Sequence, residues 1–337
     1  MGTMQIKLFF LTLISTFLFS NEIKPAMLFD ADIIFDNAWN ETIYNGIKNF
    51  EKKTNIPVAI FNEVDNDKAT VLVEELARSG YNPILLSYTK YREKAISQVM
   101  ANYPKTRFIV LNGSFNMPNA HYISFSYQES SFLAGYIAAK KSKTQKLSFI
   151  GGTEIPMIKN FLCGYIKGAK YANKDVIIDY TYIGSDLHAF INPDKAYEIA
   201  VKQIKNGSDV VFAPAGYSST GALKAAHEYH VYGIGVDSNQ NGLFPGSVLT
   251  SAMVRVDNAI FRELMAAKNN IWGSQIKIMG LQEKGVELAF DTYNEGLISL
   301  ELKKDIGAIT ADIILKKIDL PRYSLKNECI YNGEKLF

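Results

Sequence analysis

From Lys24 onward the chain repeats one unit, a short apolar run followed by a stretch of helical period. "KPAMLFD" leads into "AWNETIYNGIKNFEKKT", "PVAIFNEV" into "KATVLVEELARSG", "PILLSY" into "EKAISQVMANYP", and "KLSFIGG" into a helix over about 156–173. Strand-length apolar runs that alternate with amphipathic helices require βαβ crossovers and parallel sheets. The runs are apolar at nearly every position, which fits sheets covered on both faces.

Two such units of comparable size follow one another, over about 23–126 and about 130–250. The remainder holds a helix, "DNAIFRELMAAKNN", a strand, "IKIMGL", and a last helix, "KKDIGAITADIILKKI". That is too little for a third domain. These pieces are expected to complete the sheets already built, so the chain crosses between domains more than once. The expected architecture is α/β: two doubly wound, Rossmann-like parallel-sheet domains joined by a multi-crossing hinge. The first domain takes 23–126 plus about 251–279, and the second takes 127–250 plus about 280–325. Residues 326–337 form a C-terminal tail.

The first residues differ. Lys7 precedes "LFFLTLISTFLF", which is too short to span a bilayer and ends near Ser20. Residues 1–20 read as a cleaved secretory signal, with no cysteine close by to carry a lipid anchor. Composition is that of a globular chain, and a net charge of +2 leaves no electrostatic footprint for nucleic acid. The two cysteines are Cys163 and Cys329. Cys163 reads as a buried free thiol on the apolar side of a helix. A disulfide to Cys329 is the alternative in an oxidising compartment.

Open α/β sheets bind ligands beyond the carboxyl ends of their strands. Those ends carry Asp30, Ser87-Tyr88, Asn112-Gly113, Gly151-Gly152, Gly216-Tyr217 and Asp237-Ser238-Asn239, with Phe190 and Asn192 in the loop after "YTYIG". Turn chemistry alone enriches Gly, Asn and Asp. Their convergence with aromatics on one face points to a site in the interdomain cleft. Asp36 reads as a helix cap and Trp39 either as core or as ligand platform. Catalytic patterns are weak. "GYSSTG" lacks the lysine of a phosphate loop, "GIGVDS" lacks the third glycine of a dinucleotide fingerprint, and "HEYH" lacks zinc-protease spacing. His121 and His188 stand alone in the sequence. Neither metal nor cofactor is implied.

The stretches "FDNAWNE", "SFLAGYIAAKKSKTQKLSFIGG", "FLCGYIKGAKYAN", "GVDSNQN", "PGSVLTSAMVRVD" and "GLQEKGVELAF" give the chain a resemblance to a known family. It resembles the basic membrane protein (BMP) family of purine-nucleoside-binding proteins, the periplasmic components of ABC-type uptake systems with the type I periplasmic-binding fold. The resemblance implies capture of a purine nucleoside by hinge closure and delivery to an ABC-type permease, by a periplasmic monomer that is not an enzyme. It implies ligand contacts at Asp30 and Trp39, with Phe190 closing on the base and Asp237 accepting from ribose hydroxyls. Asn40 and Gly216 would add an amide and close backbone approach. Two positions depart from the family: Asn112 stands where an acid is expected, and Val254 where a lysine is usual. Together they read as one compensated change in the ligand cleft. The alternatives are a receptor of the same fold for a sugar or other metabolite, a nucleoside-acting enzyme, and a partner-binding surface protein.

Overall fold

The computed structural model describes residues 23–31, 33–87, 93–113, 117–273, 275–320, 329–331 and 334–335. The expected signal segment 1–20, the strand-end residue Tyr88 and most of the tail lie outside the described residues. The first domain contains β1 (Ala26–Phe29), α1 (Trp39–Thr54), β2 (Ala59–Asn62), α2 (Asn66–Arg78), β3 (Ile84–Leu86), α3 (Glu93–Asn102), β4 (Phe108–Leu111) and β5 (Ala120–Phe125). The second contains α4 (Tyr127–Lys141), β6 (Lys146–Gly151), α5 (Pro156–Ala172), β7 (Ile177–Tyr182), α6 (Pro193–Lys205), β8 (Val210–Phe212), α7 (Ser219–Glu228), β9 (Tyr232–Asp237) and β10 (Val248–Val254). The chain then returns through α8 (Val256–Lys268) and β11 (Gln275–Met279) to the first domain, and through β12 (Val286–Leu288) and α9 (Leu300–Ile314) to the second.

Each domain is one six-stranded sheet, ordered β11-β5-β4-β3-β1-β2 and β12-β10-β9-β8-β6-β7. The first sheet is parallel throughout, and the second is parallel except for its antiparallel edge β12. The orders match strand for strand, so β1 corresponds to β6 and β4 to β9. Central strands β1, β3, β4 and β8 are buried at every residue. Covered faces on both sides explain their unbroken apolar runs.

Local chemistry fixes the helix starts. The Asp65 carboxylate accepts from the amides of Asp67 and Lys68 at 3.0 Å each, capping α2. Asn192 accepts from the Lys195 amide ahead of α6, and Ser299 from the Leu302 amide ahead of α9. The pair α4 and α5 packs at backbone contact: a Cβ on Gly168 would lie 1.8 Å from the Phe132 carbonyl oxygen. Only a glycine fits that crossing.

The three crossings lie side by side. The Ser126 amide donates to the Met279 carbonyl at 3.0 Å, and the Arg255 amide to the Gly285 carbonyl at 2.8 Å. Arg255 also grips Asp257 through two nitrogens, at 3.0 and 2.9 Å, and Glu287 at 2.7 Å. The second crossing therefore falls after Val254, a few residues beyond the expected break at 251, because β10 runs on through Val254 to pair with Val286. His121 does not stand alone. Its Nδ1 meets Glu263 on α8 at 2.6 Å, and Lys277 on β11 meets the same carboxylate at 2.6 Å. The cluster fastens the returning segments onto β5. Burial opposes the Glu263 charge, but the hydrogen bonds from His121 and Lys277 hold the carboxyl below its ordinary value.

Cys163 and Cys329 form a disulfide, with Cα atoms 5.7 Å apart. The expected free thiol is corrected here. The chain beyond α9 returns to α5, a closure across 166 residues of sequence that residue pattern does not reveal.

Candidate functional site

The carboxyl ends of both sheets face each other across a cavity of about 400 Å³. Asp30, Trp39, Asn40, Asn112, Phe190, Gly216 and Asp237 all line it. Val254 does not. It is fully buried in the core beside Val286, so it and Asn112 share no wall.

The first-domain wall is built by hydrogen bonds. After β1 the Asp30 amide donates to Ser87 Oγ at 3.0 Å, and Ser87 Oγ donates back to the Asp30 carboxylate. Asp36 receives the amides of Ala38, Asn40 and Glu41 at 2.8, 3.1 and 3.1 Å. Ala38, not Asp36, holds the N-cap position of α1, but Asp36 caps the first turn from two residues upstream and also lines the cavity. Burial nonetheless raises its pKa, against the pull of those amides. The cap places Trp39 and Asn40 at the mouth of the sheet. Trp39 packs edge-on against Phe125, with centroids 5.9 Å apart, and its remaining surface borders the cavity. It serves both core and site. Asn40 donates to the Ile33 carbonyl at 3.2 Å, which fixes its carboxamide. Asn112 Oδ1 accepts from the Tyr127 hydroxyl at 2.7 Å, and its Nδ2 approaches Met157 Sδ of the other domain at 3.6 Å.

The second-domain wall is mostly apolar: Ile155, Met157, Ile158 and Phe161 from the start of α5, then Phe190, Ile191, Pro214 and Val236. The Phe190 ring packs against Gly152 in the turn after β6. A Cβ on Gly152 would sit 2.3 Å from its Cε1, so glycine there is a condition of the ring's position. Gly216, at φ +55°, lets the chain turn beneath Phe190. The acid of this wall is Asp237, 8% exposed and left-handed at φ +63°. Asn112 occupies the matching place after β4, at φ +55°. Burial pushes the Asp237 carboxyl up to about 8, and the charge of Asp36 adds to the shift.

Sequence reasoning missed the apolar wall and two rim residues. Asp186 and His188 meet at 3.3 Å at the cavity edge. Asp186 caps the 3-10 turn over Leu187–Phe190, and that capping signal was legible in "SDLHAF". His227, from "HEYH", instead meets Ser247 Oγ at 2.8 Å. Asp30, Asp36, Asp186 and Asp237 line the cavity, and among the described residues no lysine or arginine does.

Residues 23–324 match the family model described as ABC transporter substrate-binding protein PnrA-like, Bmp. The chain belongs to that family. Its relatives include basic membrane protein A1 of Borrelia garinii subsp. bavariensis, 33% identical over 309 residues and covering 89% of each chain. Another is the ABC transporter nucleoside-binding protein BmpA of Lactococcus lactis subsp. cremoris, 28% identical over 323 residues with 89% of each chain covered. Among solved structures, an ABC transporter solute-binding protein of Aeropyrum pernix K1 superposes with a TM-score of 0.80 at 21% identity, over 89% of this chain and 94% of that one. The fold is therefore that of two-domain ABC solute-binding proteins. Membership of the PnrA-like family brings a small-molecule ligand, a membrane permease as partner and a place of action outside the cytoplasmic membrane. No helix among the described residues is long and apolar enough to cross a membrane.

Proposed function

We propose that this PnrA-like protein captures a purine nucleoside between its domains and delivers it to an ABC-type permease, as a periplasmic monomer without enzymatic activity. The observation that carries this reading is the cavity's composition: an aromatic from each domain, Trp39 and Phe190, beside a buried acid, Asp237. A purine is flat and weakly hydrated on its faces, and each stacking contact contributes roughly 1–3 kcal/mol. A ribose offers a pair of hydroxyl donors, and an ionised carboxylate is the stronger acceptor for them. The cavity volume falls in the range of small-molecule sites. Four acids, Asp30, Asp36, Asp186 and Asp237, line the cavity, and their charge disfavours phosphate, so nucleosides are favoured over nucleotides. The Lactococcus relative's name supports the ligand class. Residues 1–20 act as the cleaved signal, and the Cys163–Cys329 disulfide suits an oxidising compartment.

The test is a thermal-shift screen of the chain without residues 1–20 against nucleosides, bases, nucleotides, pentoses and hexoses. A ligand that binds only the folded state raises Tm by mass action. The expected result is a shift with adenosine, inosine or guanosine that Trp39→Ala abolishes. A shift with a sugar and with no nucleoside would overturn the reading.

A further inference from the structure

Outside the cavity lining, one backbone oxygen of the first domain is held by two side chains of the second. The Asn37 carbonyl accepts from Gln240 Nε2 at 2.9 Å and from Ser238 Oγ. Asn37 sits in the turn that opens α1, left-handed at φ +51°, with its amide donating to Glu41 Oε2 at 2.9 Å. The carbonyl is thus aimed by a turn fixed through the Asp36 cap.

Gln240 is 1% exposed and engaged at every side-chain polar atom. Its Oε1 accepts from the Val236 amide at 2.9 Å, and its Nε2 also donates to Ser219 Oγ at 3.0 Å. Its own amide donates to Ser251 Oγ at 3.0 Å. The Val236 contact closes the turn over 236–240, which holds Asp237 in its left-handed conformation. One carboxamide therefore does two things: it shapes the turn that presents the cavity acid, and it touches the opposite domain. The acceptor lies two residues before Trp39, and the donors follow Asp237 by one and three residues. The contact can form only when those two cavity groups are brought across the cleft. If the domains separate, Gln240 keeps its bonds to Val236 and Ser219, and the Asn37 carbonyl passes to water.

We propose that Gln240, seconded by Ser238, is a positioning residue that latches the closed conformation through the Asn37 carbonyl while holding the Asp237 turn. The latch rests on the reading that the cleft closes on a small ligand, and does not depend on which ligand that is. It lowers the free energy of closure before any ligand contact is made. Its signature is kinetic: it slows ligand escape and leaves the encounter rate unchanged.

The test uses the disulfide-intact chain with spin labels at Lys52→Cys and Lys202→Cys, exposed positions of the two domains. Interdomain distance distributions are measured without ligand, and dissociation rates with adenosine, inosine and guanosine. Ser238→Ala removes one donor and disturbs no core contact. Its ligand-free distribution is expected to move towards the longer distance, and koff to rise about fivefold, the size of one neutral hydrogen bond. Gln240→Glu keeps the acceptor for Val236 but sets an oxygen against the Asn37 carbonyl. It is expected to exceed the effect of Ser238→Ala, with kon within about twofold of the parent. Unchanged distance distributions in both variants would overturn the latch. If Gln240→Glu fails to fold, Ser238→Ala decides alone. If no nucleoside binds, the ligand-free distances still decide, and only the ligand reading falls.

Discussion

The two walls of the cavity are built from topologically matching strand ends, yet they carry different chemistry. The first-domain wall is polar and preassembled, with Asp30 on Ser87, Asp36 on three amides and Asn40 on Ile33, while Asn112 is tied to Tyr127 at the start of the second domain. The second-domain wall is a set of aliphatic and aromatic side chains with one buried acid, Asp237. A preassembled polar wall can orient a ligand with little reorganisation. An apolar wall supplies shape and excludes water, so the hydrogen bonds on the other side strengthen once the domains meet. The pseudo-equivalent pair Asn112 and Asp237 carries the contrast to a single position. Both are left-handed residues at the end of a fourth strand, one neutral and one an acid.

The sharpest way to break this division is to remove the acid from the apolar wall. Asp237→Asn leaves the shape and deletes the charge that would accept two ribose hydroxyls. Nucleoside affinity measured by calorimetry is expected to fall roughly a hundredfold, the size of losing charge-assisted hydrogen bonds in a buried site. A 2′,3′-dideoxynucleoside should bind parent and variant alike. If it discriminates between them as the ribonucleoside does, Asp237 is not the ribose acceptor.

The aromatics test the walls from both sides. Trp39→Ala and Phe190→Ala are each expected to weaken binding by about 1–3 kcal/mol, as one stacking face is lost. They differ in stability. Trp39 also packs on Phe125, so its loss should lower Tm of the ligand-free protein more than loss of Phe190 does. Gly152→Ala is expected to reproduce the affinity loss of Phe190→Ala with the ring still present, since the new methyl would occupy the ring's place. Retained affinity in Gly152→Ala would mean that Phe190 is free to move and that its observed position is not the binding one.

The same division explains what the sequence disclosed. The two-domain α/β plan was legible because doubly covered strands are apolar at every position. The polar wall was legible because short acids and amides at strand ends stand out against them. The apolar wall was hidden. Ile155, Ile158 and Phe161 share the period of an ordinary buried helix face, and nothing in the pattern says that the face ends at a cavity. Val254 failed in the opposite sense. Resemblance carried it to the cleft, whereas its strand turns it into the core against Val286. The exchange at Asn112 therefore stands without a partner at 254, and a lysine placed at 254 would be buried without a carboxylate from that wall. The disulfide and the His121–Glu263–Lys277 cluster join residues too distant in sequence for any local signal.

A smaller effect follows from pH. The Asp237 carboxyl, ordinarily near 3.8, is pushed up to about 8 by burial and by Asp36. An acid raised in the folded state favours the protonated form, so the ligand-free closed protein loses stability as pH rises from about 4 through about 8. A ligand that donates hydroxyls to Asp237 needs the ionised form. Nucleoside binding is therefore expected to release a proton and to tighten as pH rises from 6 to 8, by at most about tenfold per unit, levelling above that. Calorimetry in buffers of different ionisation enthalpy counts the proton. Asp237→Asn should flatten the profile, and a profile that survives in that variant would assign the titration to another wall residue.

The smallest expected change in affinity comes from the disulfide, although its effect on stability is large. Cys163 lies on α5, whose first turns carry Met157, Ile158 and Phe161 into the apolar wall, while the polar wall meets that helix at its start, where Asn112 Nδ2 approaches Met157 Sδ at 3.6 Å. Replacing both cysteines by alanine removes a link across 166 residues and should cost about 2–4 kcal/mol of unfolding free energy, read as a lower Tm or denaturation midpoint. The helix start is held separately, by Pro156 at its first position and by packing against α4. Nucleoside affinity is therefore expected to stay within about twofold and the ranking of bases to be unchanged, since no hydrogen-bonding group of the polar wall moves. If the ranking changes, α5 transmits strain to its first turn, and the two walls are coupled through the apolar one rather than independent of each other.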